Sequence, residues 1–497
     1  MLVEKPLFGI GFHGKSPDVS ANRLVNAYYE FKQENDGTRV AIYGTPGLTL
    51  FMNQGDTPWR GLLSFLPNSL MYGVHRDVFY EINNAGISTA RGTILTSTGR
   101  CDISDDGFNI IVTDGTEIYV YDTRVPATPI AAVADVDRPT SSNTCIVQAG
   151  RVLTDENATG QFKASGAYAP TAWDALDFAT AETVADNTVR IVNYRGTATM
   201  MGSHSIEYFA NVGGSGFPYA VIAGATQETG LHARWSVGRF LGSYAFLAKS
   251  REGQVFVAVL EGYNVKRISN DDLDYLINNY ISTQNASGFG FMLGGHAMYQ
   301  INFPSVGKSW MYDGSTKYWS ELRYGSDGRH RGEIAVDYIN KTIITDYENG
   351  KIYSLLATVF TDDGKTSPMV LTGRHISKGK RRFRISSLEL GIEPATTTEV
   401  SFVSAISGIA IAGISISGLT VSPQPTDPVA GLRLSKDGGH SFSTQTFSPM
   451  GKVGEYLTRC RWKRLGLARD IVPEITISEP IKRVVTDATL MIEDGSS

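Results

Sequence analysis

A chain of 497 residues has room for two to four domains, each with a complete core. Its 42% hydrophobic content, 52 Gly and 23 Tyr suit a turn-rich β protein. The formal net charge of −5 argues against a general nucleic-acid binder, though not against a protein that DNA slides past without being gripped. Cys101, Cys145 and Cys460 are far apart and odd in number, so they form neither a metal spacing nor a disulfide framework. That usage predicts synthesis in a reducing cytoplasm. Met1-Leu-Val-Glu-Lys-Pro has no charged segment followed by an apolar core, and no signal peptide is expected. Asn157 and Asn285 match glycosylation sequons, which arise often by chance.

Residues 1–58 read as an irregular arm with short extended pieces, closed by the turn signal Gly44-Thr-Pro-Gly-Leu48. Within it, Gly9-Ile-Gly-Phe-His-Gly-Lys-Ser16 spells a phosphate-binding loop. Such a loop needs a buried strand before it and a helix after it. Here Pro6 shortens the first, and Pro17 removes an N–H where the second should begin, so the match reads as coincidence.

From residue 59 a hairpin signature recurs about every 44 residues. Its form is a strand, a polar turn usually holding Gly or Asp, and a second strand carrying aromatic or apolar residues. It occurs at 72–80, 112–121, 152–162, 201–209, 246–256, 293–299 and 345–353. This predicts an all-β protein containing a β-propeller of about seven blades over 59–358. One helix is expected, Ser269 to Ile281, capped by Ser269 or Asn270, with Leu273, Leu276, Ile277 and Tyr280 on one face. Asp271, Asp272 and Asp274 then belong to its positive end rather than to a glycosidase pair. No H-E-x-x-H, no G-x-S-x-G and no recognisable Cys nucleophile occurs, so no enzyme, metal or cofactor is expected.

Residues 359–497 read as a further β region, with alternating runs at 383–392, 432–434 and 475–477. Together with the arm they are expected to form a β-rich platform. Ser435-Lys-Asp-Gly-Gly-His-Ser-Phe442 resembles the Asp-box of sialidase-type propellers, which is a structural turn. Arg374, Lys378, Lys380, Arg381, Arg382 and Arg384 crowd six cations into eleven positions. On a strand, Lys380, Arg382 and Arg384 would share one face, and Arg381, Phe383 and Ile385 the other. The run suits a charge-protected edge strand, an acidic protein partner or DNA phosphate. Residues 400–426 contain no charge and centre on three pentapeptides that present Ile409, Ile411, Ile414, Ile416, Leu419 and Val421. Alternating β-branched residues favour strands, as an internal hairpin, an assembly or tip element, or a lipid-inserting segment.

Several passages in order resemble the tail nozzle proteins of short-tailed bacteriophages, the packaged-DNA stabilisation family of tail accessory factors. They are Asn22-Arg-Leu-Val-Asn-Ala-Tyr-Tyr-Glu30, Thr45-Pro-Gly-Leu48, Trp59-Arg-Gly-Leu62, Gly202-Ser-His-Ser-Ile-Glu-Tyr208, Gly224-Ala-Thr-Gln-Glu-Thr-Gly-Leu231, Gly253-Gln-Val-Phe256 and Arg267-Ile-Ser269. The resemblance runs over roughly 1–360 and again over 462–492; the uncharged pentapeptides match no family pattern. It implies a structural virion protein in the tail, made in the host cytoplasm. Six copies would form a ring below the portal and its adaptor, carry the tail needle, tailspike or fibres, and let double-stranded DNA pass without sequence-specific binding. It implies no catalytic residue, and no stable membrane insertion is expected. The rival reading is a carbohydrate-binding or glycosidase-like propeller, which would want several Asp-boxes and converging carboxylates. A WD or kelch scaffold lacks its signatures here.

Overall fold

The computed structural model describes residues 2–3, 8, 16, 18, 20–34, 37–181, 186–213, 217–325, 328–379, 381–393, 427–452, 455 and 457–494. Its backbone contacts separate two units, one of residues 50–317 and 329–355, the other of 1–49, 318–328 and 356–497.

The first unit is built from antiparallel sheets that follow one another along the chain. Their first strands are Trp59–Phe65, Asp102–Asp105, Cys145–Gln148, Thr188–Tyr194, the interrupted pair Thr229–Leu231 and Gly238–Phe240, Ser287–Leu293, and Gly332–Tyr338. Each sheet touches the next, and the seventh returns to the first, so the sheets are the blades of a closed β-propeller. The reason lies in the recurring hairpins. Alternating apolar residues cover both faces of each blade, and adjacent blades bury them against each other: Val74, Phe79, Val112 and Tyr121 between the first two, Leu153, Phe162, Met200 and Phe209 between the third and fourth.

Six of the seven predicted hairpins join the second and third strands of a blade. The sixth, at 293–299, joins the first and second instead. Its blade carries a 3₁₀ turn, Pro304–Val306, where the others have the signature. The recurring Asp residues fix the turns. Asp114 Oδ1 accepts from the N–H groups of Thr116 (2.9 Å) and Glu117 (2.8 Å), and Asp346 Oδ1 from that of Glu348 (2.8 Å).

The ring closes between segments far apart in sequence. Strands Gly332–Tyr338, Lys341–Asp346 and Lys351–Leu356 are completed by Gly47–Asn53. Gly350 accepts from Gln54 N–H (3.0 Å) and from Trp59 Nε1 (2.9 Å), and donates to Gly55 O (2.8 Å). A Cβ on Gly350 would lie 2.8 Å from Gly55 N, so only glycine fits. Between the sixth and seventh blades, His330 Nδ1 accepts from Gly332 N–H (3.1 Å) and faces Gln300 Nε2 at 3.1 Å. Burial and Arg329 lower its pKa to about 4.

The predicted helix is Asp271–Asn278, with the Asn270 side chain accepting from Leu273 N–H at 2.9 Å. Leu273 and Ile277 face the core, and the helix stops three residues earlier than the periodicity suggests. Asp274 is buried in an ion pair with Arg267, which also holds Asp271. Among the described residues no helix is long and apolar enough to cross a membrane.

The second unit is the β platform. One sheet runs in the order Ala27–Glu34, Gly37–Gly44, Val484–Asp494, Phe383–Ile392 and Cys460–Ala468. Another sequence of paired strands is Trp319–Leu322, Arg23–Val25, Met369–Thr372, Asp470–Ile477, Val429–Ser435 and Thr446–Pro449. Arm and C-terminal segment therefore interleave, around a core that includes Tyr29, Phe383, Leu388, Trp462, Ile475 and Leu490. The arm is more regular than its composition suggested, because Ala27–Glu34 and Gly37–Gly44, each of eight residues, pair as a hairpin. Buried Asn26, at φ 51°, donates to Ser367 Oγ (3.0 Å) and accepts from Arg323 N–H (2.8 Å). Buried Arg483 donates to the carbonyls of Ser367 and Thr45.

Two measurements check this account. Trp59→Ala should cost about 3–5 kcal/mol in urea unfolding. Leu66→Ser, at a side chain 81% exposed, should change stability by less than about 0.5 kcal/mol. For His330 the lowered folded pKa means that the unfolded chain binds its proton first as pH falls. Stability is thus lost from about pH 6.5 down to 4, by about 3 kcal/mol in all. His330→Asn removes that loss, so the stability gap between wild type and variant should shift by about 2 kcal/mol between pH 7 and pH 5. A pH-independent gap would show that His330 is not held neutral.

Candidate functional site

The predicted basic run divides by conformation. Arg374 is half-buried beside His375, whose Nδ1 lies 2.8 Å from Asp470 Oδ2. Lys378 to Arg381 form a tight turn, with Gly379 at φ 54° and Arg381 N–H donating to Lys378 O at 3.0 Å. The strand begins only at Phe383. Arg381 therefore sits exposed on the turn rather than sharing a strand face with Phe383 and Ile385. Lys380 lies outside the described residues, as do the whole uncharged stretch with Ile409, Ile411, Ile414, Ile416, Leu419 and Val421, and most of the phosphate-loop match.

Beyond the turn the alternation is as expected: Arg382 and Arg384 are exposed, while Phe383 and Ile385 are fully buried. The strand is not an edge strand, however, because it pairs on one side with Cys460–Ala468 and on the other with Val484–Asp494. Charge there protects no open edge.

The pairing brings in cations that the sequence reading passed over. Arg459, Arg461, Lys463 and Arg464 fill four of six positions on the neighbouring segment. Ser387 lies opposite Lys463, and Glu389 opposite Arg461. Glu389 approaches Arg459 at 3.6 Å and Arg461 at 3.8 Å. Among the described residues Arg381, Arg382, Arg384, Lys463 and Arg464 have no carboxylate within 4.0 Å. Exposed Leu467, opposite Arg384, and Met491 lie among them. The result is a basic sheet face with an apolar component, suited to an acidic surface.

The Asp-box is a turn. Asp437 accepts from Ser435 Oγ (2.6 Å) and from the N–H of Ser441 (2.9 Å), and these bonds hold its carboxyl well below the usual range. The three cysteines are buried; burial pushes the Cys101 thiol up to about 12 and that of Cys460 to about 11. Among the described residues no group of three or more His, Cys, Asp or Glu could hold a metal ion.

In the propeller unit a second charged cluster lies where the first strands of the blades converge. Arg100 Nη1 donates to Glu333 Oε1 (2.9 Å), Arg329 Nη2 lies 3.0 Å from Glu333 Oε2, and Arg190 Nη2 donates to Asp102 Oδ1 (2.8 Å). The fifth blade's first strand is interrupted at Arg234–Ser236. Ser236 repairs the ladder there, its Oγ accepting from Leu247 N–H (3.0 Å), while the guanidiniums of Arg100 and Arg190 each lie 5.1 Å from the Trp235 ring. Burial lowers the pKa of Arg100 and Arg234. A cleft of about 300 Å³ elsewhere in the unit is lined by Arg195, Arg239, Tyr244, Phe291 and Asp337 among others.

These features define a closed β-propeller with an interleaved β platform that carries an exposed basic sheet face. The model of the phage stabilisation family, described as bacteriophage P22 Gp10, β-propeller, matches residues 6–360. The chain belongs to that family and is a structural protein of a bacteriophage particle. No curated protein matches it. Among solved structures, the WD40 β-propeller domain of Doa1 is 11% identical over 63% of this chain and 98% of that one, with a TM-score of 0.38. Dihydro-heme d1 dehydrogenase NirN is 13% identical over 65% of this chain and 69% of that one, with a TM-score of 0.39.

Strand polarity gives a direct check. Arg381→Glu, Arg382→Glu and Arg384→Glu should each change stability by no more than about 0.5 kcal/mol, whereas Phe383→Ala should cost about 3–5 kcal/mol, both read from urea midpoints.

Proposed function

We propose that the chain is the tail nozzle of a short-tailed phage. Copies of it, six on the family resemblance, form a ring below the portal-bound adaptor. The ring extends and closes the DNA channel, retains the packaged genome, conducts DNA during ejection and docks the tail needle, tailspike or fibres. The observation that carries this reading is the family match across residues 6–360, which spans the whole propeller.

Physical features support it. The propeller unit holds 22 Lys and Arg against 29 Asp and Glu, and the platform 23 against 21, which together make the chain's 45 and 50. An acidic propeller offers few cations to grip phosphate, so DNA passes without being retained by the wall. The propeller axis is occupied by the Arg100, Arg190, Trp235 and Glu333 cluster, so the conduit lies between copies rather than through one. The basic sheet face serves as a contact to an acidic protein surface, most simply the propeller of a neighbouring copy.

The test is made on particles. Immunogold labelling should find the chain at the distal end of the tail, and its absence from purified virions would defeat the reading. Reversing Arg381, Arg382 and Arg384 to Glu together should leave a soluble, folded chain that fails to join particles, which then lose DNA. Normal assembly with altered DNA leakage would assign the face to the DNA channel instead.

A further inference from the structure

We propose that the propeller axis holds one compact inorganic anion, bound between Arg100, Arg190 and Arg329. The inference is independent of the nozzle reading. Three guanidiniums converge there on two carboxylates, Asp102 and Glu333, with Arg234 nearby donating to Val189 O at 2.7 Å. Arginine cannot shed its proton, so the excess positive charge persists at any working pH.

The donors are also incompletely used. Arg100 Nε, Arg190 Nε and Arg329 Nη1 are each buried without an acceptor among the described residues. Arg329 is only 7% exposed. Glu333 Oε1 accepts from Arg100, and Asp102 from Arg190 and from the N–H of Cys145 (3.1 Å). Glu333 Oε2, 3.0 Å from Arg329 Nη2, is the one buried acceptor of the cluster without a hydrogen bond among the described residues, against three such donors. The Trp235 face takes up part of the charge of two guanidiniums but accepts no N–H from their edges in the plane. Water would satisfy a donor and leave the charge. A small anion satisfies both. Bound there, it ties the second, fourth, fifth and seventh blades at one point, since Arg100 precedes the second, Arg190 lies in the fourth, Trp235 interrupts the fifth, and Arg329 and Glu333 flank the start of the seventh.

The full-length chain is melted in sodium gluconate at fixed ionic strength while chloride replaces gluconate. The expected result is a saturable rise of about 2–4 °C. The sign is informative, because replacing a more strongly excluded anion with chloride would otherwise lower the melting temperature. Arg190→Lys, which keeps the charge but removes the Nε donor, should raise the chloride midpoint at least tenfold. Crystals grown in bromide should show one anomalous peak bounded by the three guanidiniums. A melting temperature that does not rise with chloride, or crystals with no such peak, would overturn the proposal.

Discussion

Everything in the propeller depends on one backbone junction, where Gln54, Gly55 and Trp59 meet Gly350. An open row of blades leaves the apolar faces of its first and last members exposed to water. Closing the row buries both, but it requires pairing residues 291 positions apart. The loss of chain entropy in that pairing comes before the gain, and so closure is expected to be late and cooperative. The sequence supports it with a glycine where a Cβ would strike backbone, a tryptophan that is 2% exposed, and a strand, Gly47–Asn53, supplied from before the first blade. The added strand also covers the edge of Lys351–Leu356, which would otherwise be open to other chains.

The hairpin repeat was legible because it is local. Asp114 and Asp346 write the turn chemistry within three residues, and the alternating apolar residues beside them announce which faces are buried. The helix start was legible for the same reason, through Asn270. What could not be read were features set by partners distant in sequence. The Ala27–Glu34 hairpin mixes polar and aromatic residues because one face meets the platform core and the other does not. The sixth signature fell on a different turn of its blade because short hairpin signals do not record which strand is innermost.

The basic run shows the same division within a few residues. The exposure of Arg382 and Arg384 beside buried Phe383 and Ile385 follows from period-two alternation. That the strand is internal, and that Arg461, Lys463 and Arg464 extend its charge, follows from pairing with residues some eighty positions away. The signal was present in Arg459-Cys-Arg-Trp-Lys-Arg464, but only the register makes one patch of two runs.

Charge is distributed here with a pattern that packing alone does not require. The propeller carries seven more acids than bases, the platform two more bases than acids. Most arginines in the propeller are consumed by ion pairs or by carbonyls, as Arg60 is by Gly99, Arg76, Thr96 and Thr98. On the platform, by contrast, Arg381, Arg382, Arg384, Lys463 and Arg464 have no carboxylate within 4.0 Å among the described residues. Solvated cations cost little to maintain and gain little from isolated surface pairs. Their concentration on one face therefore adds little to the stability of a single chain. In the proposed assembly it would act on approach, orienting an acidic surface and rejecting a basic one before any contact is made. In the proposed ring, an acidic propeller and a basic platform face would give copies of one chain complementary surfaces. In that ring an acidic propeller would also offer few cations to passing DNA phosphate.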